Sequence, residues 1–421
     1  LKRVGDLILE TYIRVLQVKA IVSVYFYNGD MVQKILISGG GIGGLAAALA
    51  CARGGAPIEL FERATEFSEV GAGVQLGPNV VKILHQWGLK DALAGVAAFP
   101  ERLQVRSATS GDELGVLRLG DVALARYGSP YLTIHRADLH GLLLAAVNSL
   151  PGVTLNLAEA VCQFEQQTEG VTVLTTTGRS AQGEVLVGAD GAWSLVRQQL
   201  LKDGLPQPTG HLAYRAMVPQ NTLPLRLRSQ QVTAWLGPKL HVVQYPVRGG
   251  EWLNVVAIVH GHIMGSLEEW DHGANAGELR CLLANTCAPL LDLVHAIGSW
   301  RLWGLSIRAP MRGAHEHAQG RVALLGDAAH PMLPYLAQGA GMAIEDANAL
   351  GLVLENPSAD VPAMLAQYAQ TRWARNARVQ ARAIRNGEVF HATGLVRVGR
   401  DVAMRLLGER LLDVPWLYGG T

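Results

Sequence analysis

Short apolar runs set the rhythm of this chain. Residues 33–37, QKILI, read as a buried strand, and the Ala/Leu-rich stretch after them reads as a helix ending at Arg53-Gly54-Gly55. IELFE (58–62) is the next strand. LQVRSAT (103–109), QVTAWLG (231–237), HVVQYPV (241–247) and WLNVVAIV (252–259) alternate apolar and polar residues, which predicts strands of a second, mixed sheet. RVALLGD (321–327) is an apolar strand that delivers an acid at its C-terminal end. From about residue 360 the pattern turns helical through MLAQYAQTRWARNARVQARAIRNGEVFHA, whose Arg-rich face reads as a solvated surface.

Glycines punctuate two of these strands where ligands would sit. Gly39, Gly41 and Gly44 give G-x-G-x-x-G between the first strand and its helix, with Ile42 and Gly43 inside the motif. The spacing suits a tight turn, close approach of backbone to a pyrophosphate and close helix–strand packing, with the helix N-terminus offering N–H groups to phosphate. Glu62, followed by Arg63, ends the second strand, where an acid can accept from the ribose hydroxyls of an adenosine half. VLVGADGAWS (185–194) runs from a strand into a turn carrying Asp190 and Gly191. Gly326 and Asp327 end the third strand; a loop with Pro331, Pro334 and Gly339 follows, and a helix is expected to begin near Gly341. Asp327 is placed to bond a ribityl hydroxyl, and the new helix N-terminus to stabilise negative charge on a reduced flavin. The two glycine-punctuated ends together point to FAD, held at its ADP end and its flavin end.

With GGGIGG, GADG and LLGDAAHPMLPYLAQGAGMAIEDA in order, the chain resembles the class A flavoprotein monooxygenases that hydroxylate aromatic rings. The resemblance covers roughly residues 31–421. It implies an α/β fold: a Rossmann-like FAD-binding domain of the p-hydroxybenzoate hydroxylase type, a second mixed β-sheet substrate domain and C-terminal helices. The expected boundaries are 1–30 for a non-core extension; 31–101, 130–200 and 302–355 for a discontinuous FAD-binding domain; 102–129 and 201–301 for the substrate sheet; and 356–421 for the helices. It also implies that Glu62, Arg136, Asp190 and Asp327 contact FAD, with Gly39, Gly41–Gly44, Arg63, Gly191, Gly326, Gly339, Ala340, Gly341 and Met342 around it. NADH or NADPH and O2 are the implied co-substrates, acting through a C4a-hydroperoxyflavin, and a homodimer is the implied assembly.

Within the family the resemblance runs nearest to 3-hydroxybenzoate 6-hydroxylases, with salicylate and 6-hydroxynicotinate hydroxylases close behind. EVGAGVQLGPNVVKIL (69–84), RYGSPYLTIHRADLH (126–140), LHVVQYPVRGGEWLN (240–254) and PWLYGG (415–420) carry it. The expected reaction is 3-hydroxybenzoate to gentisate, with salicylate and 6-hydroxynicotinate as the alternatives. In these relatives the His and Tyr of H-x-x-x-Y face the substrate; here they are His241 and Tyr245. His241 is expected to accept the substrate's hydroxyl proton, for which an ordinary His pKa of about 6.5 is suited. Gln75, Tyr214 and Pro334 are expected in the pocket, and His330 is expected to orient the loop after Asp327. Pro334 is a departure: some 3-hydroxybenzoate enzymes carry Gln there, whereas 6-hydroxynicotinate enzymes carry Pro.

Composition narrows the rest. Lys+Arg 36 against Asp+Glu 35 leaves +1, which offers nothing to nucleic acid or an anionic membrane. The four cysteines form no zinc or CxxC pattern and read as reduced, mostly buried thiols of a cytoplasmic protein. His260-Gly261-His262 and His315-Glu316-His317 lack a third ligand nearby and are assigned to solvent or turns, so no metal is expected. The apolar KAIVSVYFY (19–27) is shorter than the ~20 residues that cross a bilayer. An NAD-dependent dehydrogenase would need only the first glycine motif; it leaves Gly326-Asp327 unexplained. A flavin-containing binding protein without turnover is the remaining alternative.

Overall fold

The computed structural model describes residues 34–67, 72–262, 274–355 and 360–420. The 1–30 extension and residues 69–71 of the 69–84 stretch lie outside the described residues.

The nucleotide end is a six-stranded sheet in the order 318–319, 322–324, 185–188, 35–38, 58–61, 153–156. Its pairs are parallel apart from the short 318–319 edge. Ile35–Ser38, Ile58–Phe61, Val185–Gly188 and Val322–Leu324 are buried along their whole length. Parallel strands are covered on both faces, which is why these read as continuous apolar runs. Helices Ile42–Arg53 and Gly339–Leu354 pack together on the sheet, where Gly351 meets Ala50. The second of these starts at Gly339, two residues before the expected Gly341.

The alternating segments all join one seven-stranded sheet, in the order 301–307, 207–219, 252–260, 240–247, 232–237, 102–107, 113–118. Strand Arg301–Ile307 belongs to this sheet, although the nucleotide domain was expected to resume at residue 302. Parity sorts the side chains. Tyr214, Trp235, Val242, Val255 and Ala257 enter a core with Leu279, Leu283, Leu290 and Leu293 of two short helices. Ala234, Leu236, His241 and Val243 point to the other face, into a cavity closed by the C-terminal helices.

Helix Val361–Phe390 runs 30 residues and is anchored by charges that the apolar pattern does not show. Arg372 is 1% exposed and donates to Asp346 through Nε at 2.7 Å. Arg375 pairs with Glu345 and donates to the carbonyls of Trp416 and Leu417, which ties down the PWLYGG tail. The solvated Arg-rich face is therefore corrected: part of it is a buried ion-pair layer. The thiol reading is corrected too, since Cys51 is buried but Cys162 and Cys281 are exposed. Among the described residues no helix is long and apolar enough to cross a membrane.

Candidate functional site

The first glycine motif builds an anion cradle. Gly39 has φ +104°, and a Cβ on Gly44 would lie 1.8 Å from the Gly39 carbonyl oxygen. The Gly44→Ala change is expected to destabilise the fold by about 1–3 kcal/mol and to weaken nucleotide binding. Thermal melting and bound-flavin absorbance check it. The first helical hydrogen bond runs from Leu45 N–H to Gly41 O at 3.0 Å, so the amides of Ile42, Gly43 and Gly44 precede it. Glu62 accepts from the Gly40 amide at 2.6 Å and the Ala64 amide at 2.9 Å, which brings its carboxylate against the motif. Arg63 beside it is exposed. His140, which the sequence reading did not single out, donates through Nε2 to the Gly40 carbonyl at 2.8 Å.

Asp190 has two roles in one carboxylate. Its Oδ2 accepts from the amides of Leu195 (2.9 Å) and Val196 (3.2 Å), capping helix Leu195–Leu201. Its Oδ1 is buried without a partner, an orphaned acceptor beside the cradle, and burial raises the carboxyl pKa. Gly191 follows at φ +83°.

At the flavin end, Gly326 turns the chain at φ +60° and presents Asp327, which is exposed and accepts no hydrogen bond among the described residues. Surrounding protein raises the Asp327 pKa, opposed by His330 and Arg136. Arg136 is the first residue of helix Arg136–Asn148, and its charge acts on Asp327 from a distant part of the chain. Behind the turn, Asp346 accepts from Gly326 N–H (3.2 Å), His330 Nε2 and Asn376 Nδ2 (2.9 Å). Asp346 thereby ties His330 to the Gly326 turn. The amide of Met342 is already bonded to Gln338 O at 2.8 Å, and its side chain is fully buried with Val379 and Leu417. Gly339, Ala340 and Gly341 are the helix-start amides that remain; Met342 is corrected to a core residue.

The loop from Asp327 to Gly339 also walls a cavity of ≈ 540 Å³ through Pro334, Tyr335, Leu336 and Ala337. Gln75, Tyr131, His241 and Tyr418 line it, and helix Val361–Phe390 adds Arg382, Arg385, Asn386 and Phe390. Gln75 accepts from the Tyr131 hydroxyl at 2.7 Å. The Nε of Arg382 is buried and unpartnered. His241 is buried, and its Nδ1 lies 2.7 Å from Nε2 of His391, which leaves Nε2 to a ligand. Burial, then His391 and His211, push the His241 pKa well below the ordinary value. The expectation of an unperturbed base is corrected: this imidazole is neutral at working pH.

Two expected pocket residues stand elsewhere. Tyr245 is committed to Gly73, donating to its carbonyl at 2.7 Å, and is not among the cavity-lining residues. Tyr214 belongs to the core on the opposite face of its strand. Its neighbour Arg215 has the parity that Tyr214 lacks. Arg215 sits over Trp303 (4.9 Å to the ring centroid), its Nε is buried and unpartnered, burial lowers its pKa, and it too is not among the cavity-lining residues.

Neither histidine pair is wholly a surface turn. His317 is completely buried; it donates to the Leu324 carbonyl and accepts from Asn376, and with His330 and Asp346 forms a group of potential ligands. Asp346 in that group is saturated by Arg372 and Asn376, which makes it an ion-pair network. His260 stands with His211 and His391 in a second group.

Residues 33–383 match the FAD binding domain family. The chain is 37% identical over 390 residues to a 3-hydroxybenzoate 6-hydroxylase of Polaromonas naphthalenivorans, covering 91% of this chain and 95% of that one. It is 37% identical over 391 residues to a 3-amino-4-hydroxybenzoate 2-monooxygenase of Streptomyces cremeus, covering 92% and 95%. A solved salicylate hydroxylase substrate complex superposes with a TM-score of 0.78 at 27% identity, covering 93% of this chain and 96% of that one.

Proposed function

Because the chain belongs to the FAD binding domain family and is an FAD-dependent aromatic-ring monooxygenase, we propose that it hydroxylates a small phenolic acid. The substrate we favour is 3-hydroxybenzoate, with gentisate as product. One observation carries this reading: a mostly apolar cavity of ≈ 540 Å³ presents a neutral imidazole, His241, and a guanidinium, Arg382, whose Nε is buried without a partner. That size lies within the range of small-molecule sites. The pair matches an aromatic ring bearing a hydroxyl and a carboxylate. The names of the relatives, which act on hydroxybenzoates, support the same class.

The residues present fit the cofactor. Ile42, Gly43 and Gly44 would hold its pyrophosphate, Glu62 and Arg63 its adenosine half, and Asp327 with Arg136 its ribityl chain. The orphaned Asp190 Oδ1 and the amides of Gly339, Ala340 and Gly341 add polar groups that ask for a partner. When bound, FAD supplies reduction by NADH or NADPH and transfer of one oxygen atom from O2. The chain supplies the rest. Arg382 holds the carboxylate, and His241 Nε2 accepts the hydroxyl proton and so enriches the ring. Leu103, Val105, Ala234, Leu236 and Val243 exclude water.

Replacing Arg382 with leucine is expected to raise KM for the acid by roughly 10-fold or more while kcat falls less, as loss of a charge-assisted contact of about 1.5–3 kcal/mol implies. Steady-state kinetics with 3-hydroxybenzoate checks it, and an unchanged KM would remove Arg382 from the site. Salicylate and 6-hydroxynicotinate are the alternatives; Pro334 on the cavity wall favours the latter over other runners-up. By the same reading the enzyme is a cytoplasmic homodimer. An exposed apolar row on helix Gly394–Leu407, from Leu395 to Leu406, supports a subunit contact, which light scattering would decide.

A further inference from the structure

We propose that His241, His391 and His260 form a proton relay that connects the buried substrate hydroxyl to the protein surface. This deepens the reading above and rests on it. The three histidines come from three distant parts of the chain: the middle of strand Leu240–Val247, the end of helix Val361–Phe390, and the end of strand Trp252–His260. His241 Nδ1 lies 2.7 Å from His391 Nε2, and His391 Nδ1 lies 3.0 Å from His260 Nε2. The line begins at a cavity wall, at a residue 2% exposed, and ends at an exposed side chain.

Both ring nitrogens of His391 are used, and both partners are imidazoles. Burial, then His211 and His260, push its pKa down to about 3. At working pH it is therefore neutral, with one N–H and one lone pair. It must donate to one neighbour and accept from the other, so the two bonds run in one direction. That is the arrangement along which a proton entering at one end displaces a proton at the other.

The transfer balances. The substrate O–H bond breaks, its electron pair stays on oxygen, and the proton binds His241 Nε2. The Nδ1 proton of His241 passes to His391 Nε2, the Nδ1 proton of His391 passes to His260 Nε2, and His260 releases its Nδ1 proton to water. One proton enters and one leaves, with no change of oxidation state. Run backwards, the chain returns a proton to the product oxygen and restores each tautomer.

The relay answers a difficulty of the site. A base held so far below the ordinary His range retains a proton poorly, so taking one from a phenol is productive only if it moves on. The surroundings favour transit over storage. His211 lies beside His260 (ring centroids 4.5 Å apart) and bonds the Tyr335 hydroxyl, while Lys239 and Arg400 add positive charge near His260 and His391.

The test uses the full-length FAD-loaded enzyme with 3-hydroxybenzoate in weak buffer. His260→Ala is expected to lower kcat by about tenfold with KM little changed, and added imidazole is expected to restore it. His391→Phe is expected to lower kcat equally without rescue, because its break is buried; His391→Gln serves if the phenylalanine variant fails to fold. A purely structural role for His260 would not respond to imidazole. Wild-type kcat in folded, yellow His260 and His391 variants would overturn the relay, as would a slow His260→Ala insensitive to imidazole. If the wild type forms no hydroxylated product from any phenolic acid, the underlying reading falls first and the relay with it, before any variant is compared.

Discussion

Replacing His241 with phenylalanine is expected to leave a folded, yellow protein whose hydroxylation has fallen by about 10²–10⁴-fold, the usual worth of a positioned general base. Phenylalanine keeps a ring against Tyr335 and Phe390, which pack on His241 edge-on at 5.0 and 5.4 Å between centroids. What disappears is the nitrogen facing the cavity and the bond to His391. FAD retention should be unaffected, because the cradle at Gly39–Gly44 and the turn at Asp327 are built by other elements. NADH consumption in the presence of substrate should then yield hydrogen peroxide in place of hydroxylated acid. Product per NADH, read beside a melting curve, separates lost chemistry from lost folding. Undiminished product would mean that His241 is only a wall of the cavity.

The second large effect is on stability. Asp346→Asn is expected to destabilise the fold by about 3 kcal/mol, the low end for breaking a buried ion pair, because Arg372 then keeps only Glu345 of its two carboxylate partners. Against a total of about 5–15 kcal/mol for a typical protein, this is enough to lower the melting temperature sharply. Burial alone would raise the Asp346 pKa, but His330, Arg372 and His317 outweigh it and hold the carboxyl far below the usual range. A depressed acid stabilises the folded state above its unfolded pKa of about 3.9. That contribution is lost as pH falls below it, so the wild type should weaken in acid more steeply than the variant. FAD should be shed early as well, since Asp346 bonds both Gly326 N–H and His330 on either side of Asp327. Melting temperature and retained flavin against pH measure both. Equal acid sensitivity in the two proteins would show that Asp346 is not the group responsible.

Much of this was legible in the chain because it lies in local patterns. Parallel strands buried on both faces leave continuous apolar runs, and glycine positions record where backbone meets backbone, as Gly44 meets Gly39. The substrate sheet shows in its period of two, and the same parity turns Tyr214 into the core and away from the face that carries His241. What stayed hidden is tertiary. Arg382 and His391 sit on a helix whose cationic face looks like any solvated surface until the sheet it covers is in place. Tyr245 shares the His241 face of its strand, yet Gly73 from a distant strand captures its hydroxyl. The shift of His241 away from an ordinary histidine has the same origin: it comes from burial and from two histidines far away in sequence.

The most direct test is substrate-stimulated NADH oxidation by the yellow protein, with 3-hydroxybenzoate, salicylate, 4-hydroxybenzoate and 6-hydroxynicotinate compared, products identified by mass and chromatography, and peroxide counted. Gentisate from 3-hydroxybenzoate, with little peroxide, is the predicted result. Stimulation that ends in peroxide alone, or no stimulation by any of the four acids, would contradict a cavity built to hydroxylate a small phenolic acid.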